Sequence, residues 1–227
     1  MGKKETGMFS PLLVLADPIE VFRKVESSSP WIAPLIYCTL GFFVITWLGG
    51  CWETIADGLR WWSLVGPAVF APLVVGITSL GSATVLYLVQ RIACKSGSCG
   101  PRYRTTLSLN NHCAIILILG EVVNFLLVHA DLVQDHALPL ANRFPLGLDL
   151  LLLGVKEPNI YLSIVLHSTN IFVIWYFIVL TKGLKYITGA GSGHPATPVA
   201  VLWLSSVIIA VGAVYGAGGA TVFRIMM

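Results

Sequence analysis

Five long apolar runs constrain this chain more than any other feature. They cover about Trp31–Cys51, Pro67–Gln90, Leu107–Ala130, Ile160–Thr181 and Val199–Phe223. Each is near the 20 residues needed to cross the hydrocarbon core of a bilayer. A globular strand is much shorter, and backbone groups in lipid must be satisfied within the segment. The reading is therefore five helices. The composition agrees: 56% of residues are hydrophobic and only 11% are charged, against about 25% charged in a soluble domain. The expected fold class is all-α: a polytopic membrane protein with a bundle of five transmembrane helices and a short N-terminal amphipathic helix. Residues 1–30 form the cytoplasmic N-terminal segment and 31–227 the five-span domain.

Orientation follows from basic residues near the span ends. Lys3, Lys4, Arg23 and Lys24 precede span one, Arg91, Lys95, Arg102 and Arg104 follow span two, and Lys182 and Lys185 follow span four. These ten lie on one side, against Arg60, Arg143, Lys156 and Arg224 on the other. The expected topology is a cytoplasmic N-terminus and an extracytoplasmic C-terminus, in a cell inner membrane. No cleavable signal is expected, because "MFSPLLVLA" holds Pro11 and runs into a charged stretch.

In "ADPIEVFRKVESSSPW", Asp17 suits an N-cap, Pro18 the first helical position and Glu20 a capping-box position. Ile19, Phe22 and Val25 fall on one face, with Arg23, Lys24 and Glu26 turned away. Such a helix lies in the membrane interface or simply leads into span one. Phe22, Arg23, Lys24, Arg102 and Arg104 are the expected contacts with lipid or a partner. The four positive charges between Arg91 and Arg104 are accounted for by topology and by anionic headgroups, so no nucleic-acid partner is expected. The loop 131–159 contains "FPLGLDLLLLGV", too short to cross and expected to lie laterally or partly re-entrant on the outer face. "GAVYGAGGA" in span five places Gly212 and Gly216 at a spacing that lets helices approach closely.

Cys94 and Cys99 make half a zinc site at most, and His194 has no ligand companions nearby in the sequence. No phosphate loop, nucleophile elbow or metalloprotease motif is present. No cofactor, metal or catalytic residue is expected. What remains is intramembrane polarity. Asn110, Cys113, Leu117, Glu121 and Asn124 recur at three- and four-residue steps in span three, and Ser163, His167 and Asn170 do so in span four. Counted from the outer ends, Glu121 and His167 lie at similar depth, roughly 12 to 14 Å in. A lone carboxylate there is expensive. Glu121 is therefore expected to pair with His167 or Asn170, as a structural clamp between helices or as part of a proton route.

Three stretches carry a family resemblance: "LADPIEVFRKVESSSPWIAPLIY", "YRTTLSLNNHCAIILILGEVVN" and "YLSIVLHSTNIFVIWYFIVLTKGLKYITG". With five spans and an inward N-terminus, the chain resembles the Yip-type (Ypt/Rab-interacting protein) membrane family in its bacterial form. The resemblance implies an integral helical bundle without established catalytic residues. Eukaryotic members are linked to Rab GTPases. This chain lacks the "DLYGP"-type signature and has only about thirty residues before span one, so a Rab-type GTPase is not expected as partner. The leading expectation is a non-enzymatic membrane-organising or partner-binding subunit, associating with the bilayer, other membrane proteins or itself. The alternative is a small transporter or channel component, proton-linked through Glu121 and His167.

Overall fold

The computed structural model describes residues 13–28, 30–57, 61–93, 101–129, 147–148, 160–188 and 194–216. Within those helices the side chains of 49–57, 61–65, 67–68, 128–129, 160, 163–164, 167 and 213–216 are not described. Lys3, Lys4, Cys94, Cys99, the side chains of Cys51, Ser163 and His167, the surroundings of Gly216, and the loop 131–159 apart from Gly147 and Leu148 thus lie outside what is described.

The described residues are all-helical. The helices are α1 (Leu13–Ala16), α2 (Pro18–Ser28), α3 (Ile32–Asp57), α4 (Trp61–Ala93), α5 (Tyr103–His129), α6 (Ile160–His167), α7 (Ile171–Thr188) and α8 (Ala196–Gly216). By length and composition α4 from Val69, α5 to Leu127 and α7 are each able to cross a membrane. Ile32–Leu48 of α3 and Ala196–Gly212 of α8 are shorter apolar stretches.

The packing is inverted relative to a water-soluble bundle. Large apolar side chains point outward at helical steps: Val69, Phe70, Leu73, Ile77 and Leu80 on α4, and Ile32, Ile36, Leu40 and Val44 on α3. Exposed apolar surface on this scale marks an interaction surface, and for helices of this length it is the face turned to lipid. The polar residues are inside, on α5. Every residue from Thr105 to Cys113 is buried. Nine residues make two and a half turns, so α5 is enclosed on all sides there. Its neighbours are α1, α2, α3, α4 and α7, while α8 packs on α4, α6 and α7.

Helix α2 starts as its sequence predicts. Asp17 Oδ1 accepts from the Glu20 amide at 3.2 Å. The reciprocal half of the capping box is not used. The Asp17 amide is already given to the Leu13 carbonyl at 2.7 Å, and Glu20 instead pairs with Lys24 at 2.9 Å. The buried face differs from the expected one: Ile19 is 62% exposed, whereas Val21, Phe22 and Val25 are almost fully buried. These three side chains belong to the same core as Leu109, Leu180 and Leu184. Phe22 is therefore a contact within the bundle and not a lipid contact, because α2 docks onto α5 and α7.

The fourth expected span is interrupted. After α6 ends at His167, Ser168 and Thr169 turn their hydroxyls to the Val165 carbonyl, at 2.9 and 3.0 Å. Asn170 then starts a new helix: its Oδ1 accepts from the amides of Phe172 and Val173, both at 2.9 Å, the hydrogen bonds of an N-cap. The Leu148 amide, from the outer loop, donates to the Thr169 carbonyl at 3.1 Å. Gly147 and Asn170 form an isolated antiparallel bridge. Short polar side chains that bond to the local backbone are what lets a helix stop and restart inside an apolar run. The span-length helix is α7, Ile171–Thr188, in place of Ile160–Thr181.

Candidate functional site

Two features stand out: a polar layer buried around α5, and the helix ends where α2 docks. The polar layer begins with a proline. Pro34 in the first turn of α3 has no amide hydrogen, so the Pro30 carbonyl lacks its helical donor. Ser108 Oγ supplies one at 3.0 Å. One turn further, Asn111 Nδ2 donates to the Trp31 carbonyl at 3.3 Å, and its Oδ1 accepts a short hydrogen bond from Ser79 Oγ of α4. The Asn111 backbone carbonyl accepts from the Cys38 thiol at 3.6 Å. One asparagine thus ties α3, α4 and α5 together. Asn110, its neighbour, accepts from Tyr176 OH of α7 at 2.8 Å. His112 Nδ1 donates to the Ser108 carbonyl at 2.7 Å; since a carbonyl only accepts, the proton is on Nδ1. Between α3, α4 and α5 lies a cavity of about 230 Å³ with Ser79, Asn110, Asn111 and Tyr176 on its wall.

Two glycines set the register of α5 against α7. A Cβ on Gly183 would meet Leu109 Cδ1 at 2.5 Å and Phe22 Cε1 at 2.9 Å, and one on Gly120 would meet Phe172 Cβ and Cγ at 2.9 Å. Leu109 to Gly120 and Phe172 to Gly183 are the same eleven residues, so the antiparallel helices stay in step over about 16 Å. Continuing that register puts Glu121 level with Ile171, the first residue of α7. The depth expected for Glu121 was measured against a continuous span four; measured against α7 it stands at the rim. Asn110 and Cys113, on the same α5 stripe, are buried, but Glu121 is exposed. The stripe becomes exposed where α7 begins. Asn124 is half-buried there. The carboxamide oxygen of Asn170 caps α7, so its role is local. Whether His167 meets Glu121 lies outside the described residues.

At the other end of α5 and α7, Phe22 fills the space over Gly183 and lies 6.1 Å, centroid to centroid, from the Tyr186 ring. Arg23, Arg102, Arg104, Lys182 and Lys185 are all exposed, and Lys24 is half-buried beside Glu20. Arg91 rests on the Tyr87 ring at 5.6 Å. In α8, a Cβ on Gly212 would meet nothing within 4 Å, so among the described residues this glycine serves no close helix contact. Glycines 41, 120 and 183 do, against Ile118, Phe172 and Leu109.

The sequence reasoning passed over Ser79, Ser108, Asn111 and Tyr176. A signal was there. "SLNNHC" puts four polar side chains and a thiol in the first third of an apolar run. On a helix they fan around every face, and only a helix enclosed on all sides can house them all.

Outward apolar faces, an inward polar layer and span-length helices define a multi-pass helical membrane protein. The family model of the Yip1 domain matches residues 12–214, from α1 to α8, and the chain belongs to that family. Comparisons with curated proteins and with solved structures yield no match.

Proposed function

We propose that this Yip1-domain chain is a non-enzymatic, five-span protein of an inner membrane that organises the membrane or binds a partner through its cytoplasmic face. In this reading α3 and α8 complete the five spans, residues 1–30 are cytoplasmic, and the C-terminus is outside. The observation that carries it is the docking of α2. Its apolar face is sealed against α5 and α7, so α2 is a fixed part of the bundle end. The outward side of that end offers Arg23, Arg102, Arg104, Lys182 and Lys185. Basic side chains next to a bilayer attract anionic headgroups and acidic partner surfaces, at about 1 kcal/mol each. The side chains of Ser79, Ser108 and Asn111, by contrast, are tied to helix backbone or to each other, as a scaffold would have them.

The test is site-specific photocrosslinking in native membranes from position 102, with position 77 on the lipid face as reference. The expected result is discrete protein or anionic-lipid adducts from 102, lost when Arg23 and Arg104 are both changed to Glu. Equal adducts from 102 and 77 that are indifferent to those changes, together with proton-coupled uptake in proteoliposomes abolished by Glu121→Gln, would replace this reading with transport.

A further inference from the structure

We propose that the cavity between α3, α4 and α5 binds a neutral, membrane-dissolved carbonyl compound that enters sideways from the bilayer and accepts a hydrogen bond from Asn110. This goes beyond the cytoplasmic-face reading and stands or falls separately from it.

The cavity measures about 230 Å³. That is room for about seven waters at the volume they occupy in the liquid. Each buried water, however, needs two to four polar partners. Most of the wall is apolar: Leu35, Phe42, Val74, Val75, Leu117 and Ile118. The polar atoms are largely committed. The Ser79 hydroxyl donates to Asn111 Oδ1, the Tyr176 hydroxyl donates to Asn110 Oδ1, and Asn111 Nδ2 donates to Trp31. A cluster of waters would go unsatisfied here, so an apolar body fits better.

Among the described residues two polar groups on the wall remain, the Ser82 hydroxyl and the Asn110 carboxamide nitrogen, and of the two Asn110 is the more deeply buried. Asn110 is 2% exposed, and among the described residues its hydrogen bond is the one its oxygen accepts from Tyr176. The two N–H donors of its Nδ2 are unspent, on a side chain that lines the cavity. A buried donor left unmade costs about 1–3 kcal/mol, which an occupant bringing an acceptor oxygen would recover. None of the described lining residues carries a charge, so the occupant is neutral. Val74 and Thr78 on the rim are exposed, beside the outward apolar residues Leu73 and Ile77. The entrance therefore faces lipid. Asn110 lies seven residues into α5, about 10 Å along the helix. That is within the hydrocarbon core, whereas phospholipid headgroups and their linkages lie outside it. The carbonyl compound is thus one that dissolves in the core.

Benzophenone is a suitable probe: an apolar ketone whose photoexcited carbonyl takes a hydrogen atom from a nearby C–H and joins the resulting carbon radical. The purified protein in phosphatidylcholine nanodiscs is irradiated with it and the adducts are mapped. Adducts should concentrate on Val74, Val75, Leu117 and Ile118 and saturate with probe concentration. Ala114→Phe, or Val75→Phe should the first variant fail to assemble, fills the space and should cut them about tenfold. Asn110→Leu combined with Tyr176→Phe removes the donor without orphaning the hydroxyl, and should weaken labelling by roughly five- to tenfold. Diphenylmethane, which lacks the carbonyl, should compete at least fivefold more weakly than unlabelled ketone. Adducts spread evenly over Leu73, Ile77 and Leu80 and unaffected by the filling variants would overturn the site. Equal competition by diphenylmethane, or full labelling of the Asn110 and Tyr176 double variant, would overturn the role of the carbonyl.

Discussion

Phe22→Ala is expected to lower the unfolding free energy of the purified protein by about 3–5 kcal/mol, the usual cost of deleting a fully buried aromatic side chain. Phe22 is 2% exposed, and its ring fills the space that Gly183 leaves open. The same measurement on Ile19→Ala provides the contrast. Ile19 is 62% exposed, and its truncation should change stability by no more than about 0.5 kcal/mol. The difference separates two pictures of α2. A helix lying in the membrane interface would use Ile19 and Phe22 alike. A helix docked on the bundle uses Phe22 with Val21 and Val25, and Ile19 hardly at all. Equal losses at the two positions, read by denaturant titration in mixed micelles, would return α2 to the interface. The docked helix also holds Arg23 and Lys24 at the same bundle end as Arg102 and Arg104.

Gly120→Leu should cost roughly 3 kcal/mol net. Replacing a mid-helix glycine usually returns about 1 kcal/mol of helix propensity, so a stabilising outcome is what an idle glycine would give. Gly120 is not idle, because its added Cβ would sit 2.9 Å from Phe172 Cβ and Cγ. Those atoms are close to the α7 backbone and have little freedom to move aside. At Gly183 the nearest atoms are the far ends of Leu109 and Phe22, which have more. Gly120→Leu should therefore separate α5 from α7, and Phe172→Ala in the same chain should restore much of the loss. The control is Gly212→Leu, where nothing stands within 4 Å; it should be neutral or slightly stabilising. Thermal unfolding of the three variants in one detergent reads all of this. A stabilised Gly120→Leu would mean that the two helices are not in contact there.

The helices and the cap of α2 were readable from the sequence because each depends on local chemistry: twenty apolar residues in a row, or Asp-Pro-x-Glu at a helix start. The rest depended on what stands opposite. Gly212 and Gly216 have the spacing of a packing face, yet Gly212 looks outward; Gly120 and Gly183 lack that spacing and carry the contact between α5 and α7. Span four reads as one apolar run because Ser168, Thr169 and Asn170 barely lower its average hydropathy. Their effect is geometric, since their side chains satisfy the backbone groups that a break exposes. The polar stripe of α5 was legible as a stripe. That its inner half is enclosed while Glu121 emerges depends on where α7 begins, which no periodicity in α5 records. Asn111 was missed for the opposite reason, since a search for one polar face discards residues on the others.

Helix α5 is the enclosed core helix and runs in register with α7, so that Gly120 faces Phe172 and Glu121 stands at the rim. Disulfide formation tests this register most directly. In a chain whose five cysteines have been replaced by alanine, Gly120→Cys and Phe172→Cys should link readily in native membranes under mild oxidation, because the two Cβ atoms need only a small relaxation to reach disulfide geometry. Failure of that pair, with a link forming instead between Glu121→Cys and His167→Cys, would contradict the register and put Glu121 back inside the bundle against His167.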